Sequence, residues 1–87
     1  MSEESALEFP CDFPIKMMGR NTTEFRQLAR ELVENHTGPV ADQAVQTSLS
    51  RNDRFISVTV TISATSQQQL DDIYRDASSH SDVLMAL

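Results

Sequence analysis

The residues able to do chemistry are few: one cysteine, Cys11, two histidines, His36 and His80, a lysine set among apolar neighbours, Lys16, and the run SSHSD, Ser78 to Asp82. SSHSD holds the letters of a hydrolytic triad. A triad, however, is three side chains converging on one reacting atom, and neighbours in one short loop do not converge. No Gly-x-Ser-x-Gly elbow accompanies it. Cys11 lies between Pro10 and Asp12, beside a carboxylate that works against a thiolate, so it reads as a small residue at the start of a strand. The two histidines and the cysteine fall in different elements and do not make a metal set by spacing. No phosphate loop or dinucleotide fingerprint is present. The sequence therefore predicts no catalytic residue, no metal and no cofactor. Lys16 is the sharpest single residue. Its ammonium could hold a carboxylate or phosphate beside Ser57 and Thr59, or its stem could lie over Met18 and Phe55 with the charge in water.

Composition narrows the classes further. The chain has 87 residues, 39% hydrophobic and 23% charged, which predicts one soluble globular domain with a modest core. A net charge of −6 disfavours phosphate backbones and anionic membranes. No apolar run approaches the ~20 residues that span a bilayer, and the acidic start MSEESALEF is unlike a signal peptide. A single cysteine agrees with a reducing compartment, so the cytoplasm is the expected location.

These side chains must be held by a small number of elements. Residues 1–8 read as a flexible acidic tail and 9–87 as the domain. Phe13, Ile15 and Met17 alternate with Pro14, Lys16 and Met18, the period of a strand that Gly19 is expected to end. Asn21, Thr22 and Thr23 offer N-cap side chains, Glu24 lies three residues past Asn21 as in a capping box, and Phe25, Leu28, Ala29, Leu32, Val33 and His36 follow at helical spacing. His36 is expected to meet the negative end of that helix. Gly38 and Pro39 then stop it. Val45, Thr47 and Leu49 give a second strand, Arg51 to Arg54 a turn, and RFISVTVTISA a third strand. Thr65 with Gln68 suggests another box, opening a helix with Leu70, Ile73, Tyr74 and Ala77 on its apolar face and Asp71, Asp72, Arg75 and Asp76 in water. His80 is expected to contact helix carbonyls. VLMAL closes the chain as a short strand.

Strand, helix, strand, strand, helix, strand is the α+β, ferredoxin-like βαββαβ pattern. Each helix is apolar on one stripe only, so both pack on one face of a four-stranded antiparallel sheet of order 4-1-3-2, burying Ile15, Met17, Ile56, Val58, Val60 and Ile62. The other face is left open and carries Lys16, Met18, Phe55, Ser57, Thr59 and Thr61. Hydroxyls edged by Met18 and Phe55 make that face fit for a partner protein or a second copy of the chain.

FPCDFPIKMMG, the capped helix, SVTVTISATS and the terminal VLMAL together resemble the YbeD-like family of small bacterial proteins, through the signature FP-x-x-F-x-x-K-x-M-G. The resemblance implies a fold akin to regulatory ACT domains, a role with no assigned reaction, and a link to lipoate metabolism. In ACT domains an amino-acid effector sits near the turn after the first strand. Carried over, that turn is Met18, Gly19, Arg20 and Asn21, although an Asp-Arg-Pro-Gly-like turn is absent here. The expected function is a non-enzymatic binding or regulatory module acting through its open sheet face, with Met18, Phe55, Ser57, Thr59 and Thr61 in contact. The alternative is a sensor of a small carboxylate at Lys16, Gly19, Arg20 and Asn21.

Overall fold

The computed structural model describes residues 7–87. Residues 1–6 of the expected tail lie outside the described residues. Strand β1 (Cys11–Arg20) leads to helix α1 (Thr23–Thr37), a 3-10 turn (Asp42–Ala44), β2 (Val45–Leu49), β3 (Phe55–Ala64), α2 (Gln67–Ser78) and β4 (Met85–Ala86). The strands form one antiparallel sheet in the order β2-β3-β1-β4. This is the expected order read from the opposite edge, and the fold is ferredoxin-like.

Strand alternation decides the two faces. Ile15 and Met17 of β1 and Ile56, Val58, Val60 and Ile62 of β3 are buried beneath the helices. Phe25, Ala29, Leu32 and Val33 of α1 and Leu70, Ile73 and Ala77 of α2 complete the core. Each of the larger side chains contributes about 1.5–3 kcal/mol by leaving water. No polar or charged residue among those described is buried with them.

Gly19 does not end β1. The strand continues to Arg20, with Gly19 opposite Ile56. A Cβ on Gly19 would stand 2.5 and 2.6 Å from ring carbons of Phe25 and 2.7 Å from the Asp82 carbonyl oxygen. The glycine is there to admit the Phe25 ring, not to turn the chain. The longer strand also selects among the three offered caps. Thr22, extended at φ −130° and ψ 155°, caps α1, its hydroxyl accepting from the Phe25 N–H at 3.0 Å. The expected Asn21–Glu24 box does not form. At α2 the box is shifted by one residue: Ser66 caps through the Gln69 N–H at 3.1 Å, and Gln69 accepts from the Thr65 N–H at 2.9 Å. The Thr65–Gln68 pair is thus one residue out of step, although β3 ends at Ala64 as expected. Gly38, at φ 83° and ψ −178°, ends α1 in a region that only glycine occupies readily.

The terminal strand is shorter than VLMAL suggests, but its pairing reaches further than its two residues. Leu84 N–H donates to Met18 O, and Lys16 and Leu87 exchange both of their backbone bonds. The Tyr74 hydroxyl donates to Leu87 O at 2.6 Å and so fastens this edge to α2. Burial pushes the Tyr74 phenol above its ordinary value of 10.0. A neutral phenol favoured in the folded state gives stability that is intact below pH about 10 and lost as pH rises through the folded-state value. Tyr74 is the one tyrosine and there is no tryptophan. An absorbance titration of tyrosinate should therefore give a single midpoint, higher in the folded protein than in urea. Coincident midpoints would show that the phenol is as wet in the folded chain as in the unfolded one.

Candidate functional site

The face of the sheet away from the helices is built by the alternate residues of each strand. Lys16 stands opposite Thr59, Met18 opposite Ser57, Arg20 opposite Phe55, and Pro14 opposite Thr61. On the flanks, β2 adds Gln46 beside Thr59 and Ser48 beside Ser57, and β4 adds Met85 beside Met18. No described element covers this face. Lys16, Arg20 and Thr61 are exposed, while Met18, Phe55, Ser57 and Thr59 are half-buried by one another. Met85 is 50% exposed, and Leu87, paired with Lys16 just past the strand, is 60% exposed. The Arg20 guanidinium lies 5.7 Å from the centre of the Phe55 ring. At an exposed site such a cation–π contact is worth about 0.5–1 kcal/mol, enough to bias where both side chains rest. Beside them a shallow depression of ≈ 160 Å³ is bordered by Lys16, Met18, Ser48, Leu49 and Phe55.

The turn after β1 is differently arranged. Gly19 is buried under Phe25. Asn21 spends its amide on the neighbouring turn, Nδ2 donating to Asp53 O at 2.9 Å and Oδ1 accepting from Arg26 at 2.8 Å. A cavity of ≈ 280 Å³ does lie here, lined by Arg20, Thr22, Phe25 and Leu84, but also by the carboxylates of Glu24 and Asp82. Two acids against one arginine oppose an anionic ligand in that cavity. Lys16 and Arg20 share the open sheet face, four residues apart with Met18 between them, whereas Gly19 and Asn21 do not join them there.

The histidines are placed otherwise than their positions in the chain suggest. His36 Nε2 meets Asp76 at 2.9 Å, and His80 Nε2 meets the other oxygen of the same carboxylate at 3.5 Å. Asp76 is therefore not in open water but ties the end of α1 to α2. The His36 ring is turned to this acid rather than to its own helix end. His80 reaches a helix carbonyl only with its backbone N–H, donated to Ala77. The spacing of Asp76 and His80, one helical turn, was a readable signal. The 40 positions between His36 and Asp76 gave none. Among the described residues, no group of three or more such side chains is arranged to hold a metal ion. No helix among the described residues is long and apolar enough to cross a membrane. Cys11 is a free, half-buried thiol opposite Ala64, at the other end of the sheet from Arg20.

The family model described as Protein of unknown function (DUF493) matches residues 4–87. A UPF0250 protein of Nitrosomonas europaea is 41% identical over 87 residues, covering all of both chains. One from Chromobacterium violaceum is 43% identical over 89 residues, again covering both completely. Among solved structures, protein HP0495 from H. pylori superimposes with a TM-score of 0.69 over 100% of this chain and 94% of its own, at 19% identity, a likeness of fold. These matches overturn the assignment to the YbeD-like family, and the implied link to lipoate metabolism goes with it. The physical reason is visible in the signature itself. Phe13 packs on the core, Lys16 faces out and Gly19 makes room for Phe25, so the motif reports a β1–α1 unit rather than a particular family.

Proposed function

The chain belongs to the family described as Protein of unknown function (DUF493), and from that premise we propose that it is a non-enzymatic binding or regulatory module working through protein contacts on its open sheet face. The observation that carries this reading is the set of apolar side chains Met18, Phe55, Met85 and Leu87 on a face whose other residues are mostly polar. A sheet face meant only for water alternates to fully polar residues, and this one does not. Half-buried methionine and aromatic side chains beside arginine are also the composition of interface cores. The alternative, a small-carboxylate sensor at Lys16, Gly19, Arg20 and Asn21, is supported only by its two cations, since Gly19 is covered and the Asn21 amide is committed. A reducing compartment, the cytoplasm, suits the free thiol of Cys11.

Photo-crosslinking in the native host tests the face. A benzophenone amino acid placed at Thr59 should form a discrete adduct with another protein, while the same group at Gln27, exposed on α1, should not. A second copy of the chain in the adduct would identify the partner as itself. Equal adducts from both positions, or none from Thr59, would remove the sheet face as the contact.

A further inference from the structure

We infer that the partner segment is acidic and carries an apolar or aromatic anchor, and that it docks on a basic pole formed by Lys16, Arg20, Arg26, Arg51 and Arg54 around Phe55. The inference rests on the reading of the open face as a protein-binding surface and specifies the chemistry of what binds.

The cations of this chain are divided in a way its net charge of −6 conceals. There are seven lysines and arginines. Arg30 is committed to Asp42 at 2.8 Å and to Glu34 at 3.4 Å, and Arg75 to Asp72 at 3.1 Å. The other five are exposed, and among the described residues none of them makes an ion pair. They fall on two neighbouring parts of the molecule that Asn21 links. Lys16 and Arg20 stand on the open face, and Arg51 and Arg54 lie in the turn between β2 and β3. Asn21 joins the two turns: its N–H donates to Arg54 O at 2.9 Å, its amide to Asp53 O, and its Oδ1 accepts from Arg26. Three carboxylates stand near this end, Glu24, Asp53 and Asp82, fewer than the cations. An acidic molecule thus keeps cations free of ion pairs on its open face and in the turn beside Phe55, with Arg26 reaching the same turns from α1, where they can attract and orient an acidic surface.

The apolar part of the pole selects among anions. The depression between Lys16, Leu49 and Phe55, at ≈ 160 Å³, is below the ~300–1,000 Å³ of pockets that enclose metabolites, and holds about one side chain. Arg20 over Phe55 and the adjoining Met18 would be idle against a phosphate backbone, and the overall negative charge repels one. A second copy docked with its two-fold axis through this pole would set these cations against themselves. A carboxylate-rich segment with one large apolar side chain uses all three features: the cations, the ring and the depression.

Selection of randomised peptides displayed on phage, run against the whole protein, tests the assignment. The expected consensus pairs Asp or Glu with a Phe, Leu or Ile. Binding of the synthesised consensus should weaken as salt is raised, and should fall at least tenfold for the Lys16→Glu, Arg20→Glu variant. The Arg75→Gln variant, altered in a committed cation, should bind as the parent does. A neutral or basic consensus that still depends on Phe55 would overturn the acidic partner and leave the sheet face in place. Peptides indifferent both to Phe55→Asp and to the charge reversal would overturn the site and the reading beneath it. Displacement of the peptide by short single-stranded DNA at equal concentration would give the pole to phosphates instead.

Discussion

A chain carrying Gly19→Ala is expected to be less stable than the parent by about 1–3 kcal/mol, the usual cost of forcing a group into a packed core. On entropy alone the change should help, since Gly→Ala at a compatible site stabilises by about 0.4–1 kcal/mol through the unfolded chain. Contact decides against that gain. The new methyl would meet two carbons of the Phe25 ring at 2.5 and 2.6 Å and a backbone carbonyl at 2.7 Å. Phe25 is 2% exposed and enclosed by the core, so its ring cannot swing into water to make room. For a domain of this size 1 kcal/mol is about 4–8 °C in melting temperature, well within measurement. Phe25→Leu removes the ring edge, and in that background Gly19→Ala should cost markedly less, with a coupling of about 0.5–3 kcal/mol. Urea denaturation of the four proteins reads the cycle. An unchanged cost in the Phe25→Leu background would move the obstruction to the Asp82 carbonyl, and no cost in either background would refute the packing role of Gly19.

Gly19 also shows where the sequence stops being readable. Glycine after an alternating run reads as the end of a strand, because that is its commonest local use. Its actual neighbours are Phe25, six positions on, and Asp82, in the connection before β4, and no local pattern announces either. The first helix start has the same origin: β1 runs past Gly19 to Arg20 and leaves Thr22, one of three offered caps, to close α1, since apolar alternation fixes a strand's faces better than its ends. The faces themselves were legible throughout. Ile56, Val58, Val60 and Ile62 against Phe55, Ser57, Thr59 and Thr61 is strict alternation, and the open face follows from it once both helices have a single apolar stripe. Lys16 is placed on that face by parity alone, whereas Arg20 joins it only because β1 runs past Gly19. The gathering of Arg26, Arg51 and Arg54 beside them was not legible, because it depends on Asn21 bridging two turns about thirty residues apart in the chain.

Val58→Asp should abolish the fold, and Ser57→Asp, one residue away, should barely alter it. Val58 is fully buried, and no polar residue among those described lies in the core to receive a carboxylate. An unpaired buried charge costs several kcal/mol, against a total stability of about 5–15 kcal/mol for a domain, so most molecules carrying it should be unfolded or should hold the acid neutral at the expense of packing. Ser57 points the other way, between Ser48 and Met18 on the open face. A carboxylate there keeps its water, and a change of about 0.5 kcal/mol or less is expected. Far-UV circular dichroism and amide proton dispersion distinguish the two outcomes. A folded Val58→Asp protein with native dispersion would mean that the core accepts a neutral acid, and one with altered dispersion that β3 slips its register by one residue, so that the face assigned to contact is not fixed. The pair of variants therefore bears on more than stability. Only if one face of β3 tolerates charge while the other does not can loss of binding in Phe55→Asp or Lys16→Glu be credited to the contact itself and not to a damaged core.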